Sequence, residues 1–367
     1  MSVDLVNNRE NGSQGELALR VPSGWTVDPV RAAFAFARGG ERATQTFTIS
    51  APSLADRVYR IDAVATADGR EYGEGYETIE YRDLETRHLY RAATTEVRGV
   101  DVARISRAQL EAVKRAWYRH DVLVFRAQRL SDDDLLSFSR HFGLLDSPPN
   151  QGAGRKSPPG YPEVYIVSNV LDDKGEPIGA LGDGEASWHT DMSYAGMPPD
   201  ASMLYALEIP AAGGDTCFCS MKAALAGLPQ PLVERVRGLD IKHDGTYDSG
   251  GYVRKGLTRS DDPRRSVGTP HPAIVAHPVS GEAALYLGRR RNAYVMGLEL
   301  AESERLLDEL WSYVESAVYR HRWAVGDLVL WDNRTTMHRR DAFDPRSRRV
   351  MHRTQIKGSA VPRRASA

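Results

Sequence analysis

Residues 326–338 read GDLVLWDNRTTMH, in which an apolar run leads into a polar turn and then a histidine. The run predicts a strand, and a second strand is predicted over residues 349–356. Because side chains alternate along a strand, Arg349 and Arg353 would share one face of it. Two guanidinium groups on one inward face are costly unless anions meet them. This part of the chain therefore predicts a pocket that binds a dicarboxylate and leaves room for a second anion.

A histidine and a carboxylate occur at metal-ligand spacing in the stretch WHTD, residues 188–191. Residues i and i+2 of a strand project to one side, so His189 and Asp191 can converge on one ion. Such a tripeptide often arises by chance, and it carries weight here only together with His338. Two imidazoles and one carboxylate make the facial triad that suits Fe(II) and leaves coordination positions open. We therefore predict an iron site formed by these three residues.

Around these two stretches, residues 95–360 read as mainly β with flanking helices. Helices are predicted from the capping box at Ser106, from Ser131, and over residues 302–318. Further strands are predicted over residues 165–170, 202–209, 273–277 and 284–287. Glycines and prolines predict an exposed loop over residues 148–162, and residues 245–270 have the composition of a lid.

The first part of the chain has a different pattern. Short β-branched and aromatic runs alternate with turn-forming residues up to about residue 80, which is typical of a small β-sandwich. The stretch VPSGWTV, residues 21–27, resembles immunoglobulin-like domains attached to some other enzymes. We predict a β-sandwich of unknown role over residues 1–90, a catalytic domain over 95–360, and a disordered tail over 361–367.

Composition limits the partners of this chain. Its 367 residues carry a formal net charge of −1, so no overall field draws it to nucleic acid or an anionic membrane. No apolar run approaches the roughly 20 residues that a membrane-spanning helix needs. Cys217 and Cys219 are too close for an ordinary disulfide and are interpreted as buried strand residues in a reducing compartment. We expect a cytoplasmic protein with a small-molecule substrate, and homo-oligomerisation stays open.

The motifs, taken in their order, resemble those of the taurine dioxygenase and 2,4-dichlorophenoxyacetate dioxygenase family of Fe(II), 2-oxoglutarate-dependent oxygenases. The resemblance covers roughly residues 95–360. The stretches that carry it are FRAQ (125–128), HFG (141–143), SN (168–169), WHTD (188–191), GGDT (213–216), WDNR (331–334) and RVMHRT (349–354). It implies a distorted double-stranded β-helix, or jelly roll, preceded here by the small β-sandwich.

The resemblance also implies roles for individual residues. The iron ligands would be His189, Asp191 and His338, and the distal carboxylate of 2-oxoglutarate would be bound by Thr216 and Arg349. Arg353 matches a position that meets the anionic group of the substrate in sulfonate-using members. Asn169 and Glu185, just upstream of the triad, are further candidates for substrate contact. Taurine-using members carry a histidine in the loop that corresponds to residues 148–162, and this chain has none there.

The implied reaction couples oxidative decarboxylation of 2-oxoglutarate, with O2, to hydroxylation of a small anionic substrate, and yields succinate and CO2. Two other functions stay open. One is another metal-dependent jelly-roll enzyme, such as a zinc or manganese hydrolase or isomerase, which would not need a dicarboxylate clamp. The other is a non-catalytic binding protein in which the first domain recognises a glycan or a protein. The intact triad argues against this last function.

Overall fold

The computed structural model describes residues 2–6, 11–38, 41–50, 61–67, 70–76, 85–88, 94–147, 157–181, 186–248, 250–260 and 262–366. The chain divides into two compact units, the first comprising Met1–Tyr81 with Thr86–Ala92 and the second Arg82–Glu85 with Ala93–Ala367. Strands dominate the described residues, as predicted.

The strands are β1 (Ser2–Val6), β2 (Asn11–Arg20), β3 (Thr26–Asp28), β4 (Arg31–Arg38), β5 (Arg42–Thr46), β6 (Thr48–Ser50), β7 (Ile61–Ala67), β8 (Arg70–Tyr76), β9 (Glu85–His88), β10 (Thr94–Arg98), β11 (Val122–Phe125), β12 (Tyr165–Ser168), β13 (Ala180–Leu181), β14 (Ala186–His189), β15 (Ala201–Glu208), β16 (Thr216–Ser220), β17 (Asp240–Asp244), β18 (Gly268–Pro272), β19 (Ile274–Ala276), β20 (Ala283–Leu285), β21 (Tyr294–Val295), β22 (Val318–His321), β23 (Leu328–Asp332), β24 (Thr336–Arg340), β25 (Val350–Ile356) and β26 (Arg363–Arg364). The helices are α1 (Arg107–His120), α2 (Asp132–Arg140), α3 (Met221–Ala226), α4 (Gln230–Arg237) and α5 (Leu300–Trp311), and 3-10 turns cover Val102–Arg104 and Val314–Ala317.

The first unit contains an antiparallel sheet in the order β4-β2-β7-β8 and two strand pairs, β1-β5 and β3-β6. In β4, Ala32, Phe34 and Phe36 are buried at alternate positions, the pattern of a strand with one face on a core. Leu17 of β2 and Phe47 join the same apolar cluster. This unit therefore has a hydrophobic core of its own.

The larger sheet of the second unit includes, in spatial order, β13-β12-β25-β15-β23-β11-β10. Its middle strands β15 and β23 are largely buried, so they read as continuous apolar runs in the sequence. In the register of this sheet, Arg353 of β25 lies between Tyr165 and Leu204. A charged side chain thus lies on an interior strand of this sheet.

The smaller sheet has the order β14-β24-β16-β22. His189 of β14 pairs directly with His338 of β24. One strand further on, Thr216 of β16 pairs with Arg340 of β24. The register therefore sets two histidines side by side and a threonine beside an arginine.

The helix starts predicted at Ser106, from a capping box, and at Ser131 are confirmed. Ser106 and Ser131 each accept a hydrogen bond from the backbone three residues on, and the side chain at that position bonds back. The predicted helix over 302–318 is too long, because α5 ends at Trp311 and the chain tightens into the 3-10 turn Val314–Ala317. Val314 is still buried there, so the apolar period continues through a change of helix type.

The prediction of a disordered tail over 361–367 is wrong for its central residues. Arg363 and Arg364 pair with Ala276 and Val275 as strand β26. The guanidinium of Arg364 donates to the carbonyl oxygens of Arg237 and Leu239 and to the carboxylate of Asp240. These bonds give a charged segment enough partners to be ordered, which its composition does not reveal.

The two cysteines lie in β16, where both are buried, as predicted. Burial raises the pKa of the Cys217 thiol to about 11, so it is not a reactive thiolate at neutral pH. Within the described ranges, no helix is long and apolar enough to cross a membrane.

Candidate metal centre and pocket

The three predicted metal ligands converge. His189, Asp191 and His338 are buried, and each offers a ligand atom within 4.8 Å of the others. The Nε2 atoms of His189 and His338 lie 3.6 and 3.8 Å from Asp191 Oδ1. The two histidines come from paired strands, and the aspartate follows β14 two residues on. The arrangement has the spacing at which one cation is held by three side chains.

The donor atoms are in the state that a metal requires. His189 Nδ1 lies 2.8 Å from the carbonyl oxygen of Ser187, a contact in which Nδ1–H donates and leaves the Nε2 lone pair for a metal. Burial, together with the neighbouring His189, lowers the pKa of His338 well below its ordinary value, so this imidazole is neutral. Two imidazoles and a carboxylate on one side of a cation fit the facial triad of Fe(II).

Asp191 is positioned by a residue that sequence reasoning did not single out. Asn333 accepts a hydrogen bond from the Asp191 N–H and donates to the Asp191 carbonyl oxygen, each over 2.9 Å. It also donates to the carbonyl oxygen of Pro199, over 3.0 Å. The WDNR stretch could have indicated this role, because Asn333 lies at a turn after a buried strand and a buried amide there must find several hydrogen-bond partners.

The carboxylate of Asp191 is held ionised. Burial opposes its charge, but Arg353, followed by His338 and His189, lowers the pKa of Asp191 well below its ordinary value. Arg353 Nη2 donates to Asp191 Oδ2 and, over 2.9 Å, to Ser202 Oγ. Ser202 in turn donates to Asp191 Oδ2 over 3.1 Å. Asp191 Oδ1, the oxygen that faces the two histidines, is thereby turned toward the metal position.

The triad opens into a pocket with lining residues from both sheets of the second unit. Thr216, Arg340 and Arg349 meet on one wall of it. Thr216 Oγ1 accepts a hydrogen bond from Trp323 Nε1 over 3.0 Å, which leaves its hydroxyl proton free to donate into the pocket.

Arg349 is 2% exposed, and its Nε has no hydrogen-bond partner within the described part of the chain. Burial, followed by repulsion from Arg340, lowers the pKa of Arg349 to about 9. The group is cationic at neutral pH and inadequately compensated. An anionic ligand at this wall would supply the missing charge and hydrogen bonds.

The residues predicted to contact substrate do not all lie at the pocket. Arg353 lines the pocket, as expected, and its charge is paired with Asp191. Asn169 is not among the residues that line the pocket in the described ranges. Its amide instead accepts from the Arg349 N–H and donates to the carbonyl oxygens of Pro345 and Ser347. Glu185 lies outside the described residues. Asn169 therefore acts on the segment that carries Arg349.

Three arginines that line the pocket were not predicted from the sequence, namely Arg254, Arg289 and Arg340. They come from segments far apart in sequence, and no local pattern connects them. Arg340 alone had a signal, because it lies two residues after His338 on the same strand and therefore projects to the same side.

Comparison with known proteins agrees with this geometry. Residues 80–355 match the family described as Taurine catabolism dioxygenase TauD, TfdA family, and the chain belongs to that family. It is 36% identical over 264 residues to the alpha-ketoglutarate-dependent 2,4-dichlorophenoxyacetate dioxygenase of Cupriavidus pinatubonensis, which covers 69% of this chain and 90% of that protein.

Two further relatives give the same result. The chain is 34% identical over 259 residues to the alpha-ketoglutarate-dependent sulfate ester dioxygenase of Pseudomonas putida, covering 66% of this chain and 79% of that protein. Among solved structures, a taurine dioxygenase from Burkholderia xenovorans superimposes with a TM-score of 0.62 at 30% sequence identity, covering 76% of this chain and 91% of that one.

The family and the site together define the class of enzyme. The chain is a non-haem dioxygenase that uses Fe(II), 2-oxoglutarate and O2. When bound, the iron supplies the redox chemistry that couples decarboxylation of 2-oxoglutarate to oxidation of a second substrate.

Proposed function

We propose that this enzyme hydroxylates a small organic anion, with the distal carboxylate of 2-oxoglutarate bound by Thr216 and Arg349. The observation that carries the proposal is the buried, incompletely compensated Arg349 in the same pocket as the triad. A hydroxyl donor and a guanidinium at one wall match the two oxygens of a carboxylate. His189, Asp191 and His338, which line the same pocket, hold the iron.

The remaining work of the chain is positioning and shielding. Asn333 and Ser202 orient Asp191, and Asn169 fixes the backbone at Arg349. Trp331 packs against the His338 ring, with centroids 4.9 Å apart. A buried wall of this kind excludes water from the reacting groups and strengthens the electrostatic contacts inside.

The substrate class rests on charge and on relatives. The pocket is lined by arginines, and related enzymes are named for 2,4-dichlorophenoxyacetate, phenoxypropionate, sulfate esters and sulfonates, all of which are organic anions. An anionic substrate would meet the positive field of this pocket. Carboxylates, sulfonates and sulfate esters are all candidates.

The test is succinate formation by the purified full chain with Fe(II), 2-oxoglutarate and a panel of these anions. We expect one class of anion to stimulate succinate formation and to gain a hydroxyl group. Arg349→Met should raise the KM for 2-oxoglutarate by about a hundredfold, the scale of a lost buried ion pair. Thr216→Val should raise it by about tenfold. Wild-type KM values in both variants would reject the clamp.

We further infer that the two sheets of the second unit form a distorted double-stranded β-helix, with the triad between them. The pocket lined from both sheets supports this. For residues 1–90 we infer an immunoglobulin-like sandwich, which the separate apolar core of the first unit supports. The catalytic domain would then span residues 95–360.

A further inference from the structure

Two cationic side chains of the pocket, Arg254 and Arg289, have no role in the assignments above. Arg289 is 8% exposed, and its Nη1 donates to the carbonyl oxygen of Tyr247 over 2.6 Å. The Nε atoms of both arginines are buried without a hydrogen-bond partner among the described residues. Over the same ranges, neither guanidinium has a carboxylate within ion-pair distance. Two unpaired cations therefore face one pocket.

Arg289 is placed beside the metal ligands by its backbone. The carbonyl oxygen of Gly288 accepts a hydrogen bond from the N–H of Thr190, the residue between His189 and Asp191, over 2.9 Å. Gly288 has φ +69°, and a Cβ there would lie 2.2 Å from His243 Nδ1. Only glycine allows this close approach. Arg289 therefore follows a residue bonded directly to the ligand-bearing turn.

Arg254 belongs to a hairpin formed by residues 246–248 and 250–254, which we name the strap. Its ends are joined by the hydrogen bond from Arg254 N–H to the carbonyl oxygen of Thr246, over 2.8 Å. The Arg254 guanidinium lies 4.5 Å from the centre of the Tyr194 ring. The one carboxylate that the strap contributes to the pocket lining is Asp248, whose Oδ1 accepts from the N–H groups of Gly250 and Tyr252.

Among the described residues, Arg254 and Arg289 have no carboxylate partner of the kind that Arg353 has in Asp191. Burial, followed by repulsion from Arg254, lowers the pKa of Arg289 to about 10, which still leaves it cationic at neutral pH. Arg353, in contrast, is paired with Asp191. A second anion in the pocket therefore finds its uncompensated cations at Arg254 and Arg289.

We propose that Arg289 and Arg254 bind the anionic group of the prime substrate and so set the preference for organic oxyanions. The inference rests on the proposed function and adds to it the residues that recognise substrate. The pair lies on the strap and beside Gly288, whereas the 2-oxoglutarate clamp lies on β16 and just before β25. Two anions can therefore be bound in one pocket on separate groups.

The test uses the full chain loaded with Mn(II) and N-oxalylglycine, an analogue of 2-oxoglutarate, so that the triad and the clamp are occupied. Calorimetric titration then compares methanesulfonate with dimethyl sulfone, a neutral molecule of similar size. We expect methanesulfonate to bind at one site and dimethyl sulfone not to bind. Arg254→Met should weaken methanesulfonate binding by about tenfold or more, and Arg289→Lys should retain more of it than Arg289→Met.

The matched control is Arg291→Met. Arg291 contacts the strap from outside the pocket lining, where its Nη1 donates to the carbonyl oxygen of Gly251 and its guanidinium stacks on the Tyr247 ring. We expect this variant to bind methanesulfonate as the wild type does. Equal weakening in the Arg291 and Arg254 variants would mean that only strap geometry matters, and would overturn the proposal.

Three other results would also overturn it: no binding of methanesulfonate by the wild type, equal binding of the sulfone, or unchanged affinity in Arg254→Met. Failure of the 2-oxoglutarate site gives a different result. If N-oxalylglycine does not bind the Mn(II)-loaded wild type, the proposed function fails. A comparison of the wild type with Arg254→Met, both titrated with methanesulfonate without the analogue, then still reports on the arginine pair.

Discussion

At the scale of single residues, this site depends on side chains that hold other functional groups in place. Arg353 pairs with a metal ligand, Asn333 binds the backbone of that ligand, and Asn169 binds the backbone of Arg349. Each satisfies the requirement that a buried polar group finds partners. Several residues that a motif search would assign to substrate are thus explained by geometry around other protein groups.

Asn169→Ala should weaken 2-oxoglutarate binding although Asn169 is not a lining residue of the pocket. Loss of its three hydrogen bonds would free the segment from Pro345 to Arg349 and misplace the guanidinium. We expect the KM for 2-oxoglutarate to rise about tenfold while iron affinity stays unchanged. Asn169→Asp keeps the acceptor for the Arg349 N–H, so its KM for 2-oxoglutarate should lie between those of the wild type and Asn169→Ala. A changed iron affinity with an unchanged KM would contradict this account.

The sequence predicted the cluster of His189, Asp191 and His338, and it did not predict the contacts around them. His189 ends β14 and Asp191 follows two residues on, so local geometry alone brings these two residues together. The pairing of Arg353 with Asp191 depends on how two sheets face each other, and the approach of Arg289 depends on a glycine with positive φ. Neither is encoded in local spacing.

At the scale of elements, the turn between β23 and β24 is held by Asp332. Its carboxylate accepts from Arg334 Nε and Nη2 over 2.8 and 2.6 Å, and it lies 3.0 Å from His277 Nε2. Burial opposes ionisation, but Arg334 and then His277 lower the pKa of Asp332 well below its ordinary value. A depressed folded-state pKa gives stability above the unfolded-state pKa, and this stability is lost as the pH falls below about 4.

Asp332→Asn should therefore lower the free energy of unfolding by about 3 kcal/mol at pH 7, because it removes the nearer of the two carboxylates, Asp332 and Asp200, that pair with buried Arg334. The difference from wild type should shrink as the pH falls below about 4. Urea unfolding followed by tryptophan fluorescence at the two pH values measures it. Asp344→Asn is the control, since that carboxylate pairs with Arg346 at the surface and should matter little. An equal loss of unfolding free energy at pH 7 and below pH 4 would contradict the claim that ionised Asp332 stabilises the turn.

The link between Gly288 and the metal-binding turn gives a second test at this scale. Gly288→Ala combines an unfavourable φ with a clash against His243, so we expect it to cost roughly 2–5 kcal/mol and to weaken metal binding. Gly281 has φ +73° and open space where a Cβ would lie, so Gly281→Ala should cost only about 1 kcal/mol. Similar losses of stability in the two variants would show that the contact with His243 is unimportant.

Element boundaries were predictable where a side chain marks them. The capping box at Ser106 and the acidic first turn after Ser131 predicted two helix starts from sequence alone. No side chain in the sequence indicates where α5 ends or that β26 pairs with another strand. The first is a change of helix type inside a continuous apolar pattern, and the second depends on carbonyl groups of distant residues that meet Arg364.

At the scale of the whole molecule, the catalytic apparatus lies in the second unit. The described lining residues of the pocket fall between positions 165 and 355, and the family match begins at residue 80. The 2,4-dichlorophenoxyacetate dioxygenase relative is matched over 90% of its length by 69% of this chain. Most of that relative therefore corresponds to only about two thirds of this chain.

Deletion of residues 1–79 should leave kcat and both KM values essentially unchanged. The measurement is succinate formation by the truncated and full-length proteins, with circular dichroism to verify that both are folded. A loss of about tenfold in kcat by a folded truncated protein would mean that the first unit contributes about 1.4 kcal/mol to catalysis.

The central claim is that one pocket binds Fe(II) and 2-oxoglutarate together, and anaerobic visible absorption tests it most directly. The protein is titrated with Fe(II) and then with 2-oxoglutarate. Binding of the C1 carboxylate and C2 keto oxygen at the iron predicts a weak charge-transfer band in the wild type, absent in His189→Ala and weakened in Arg349→Ala. If iron binds and no band forms, the claim is contradicted and a different metal-dependent activity becomes the better account.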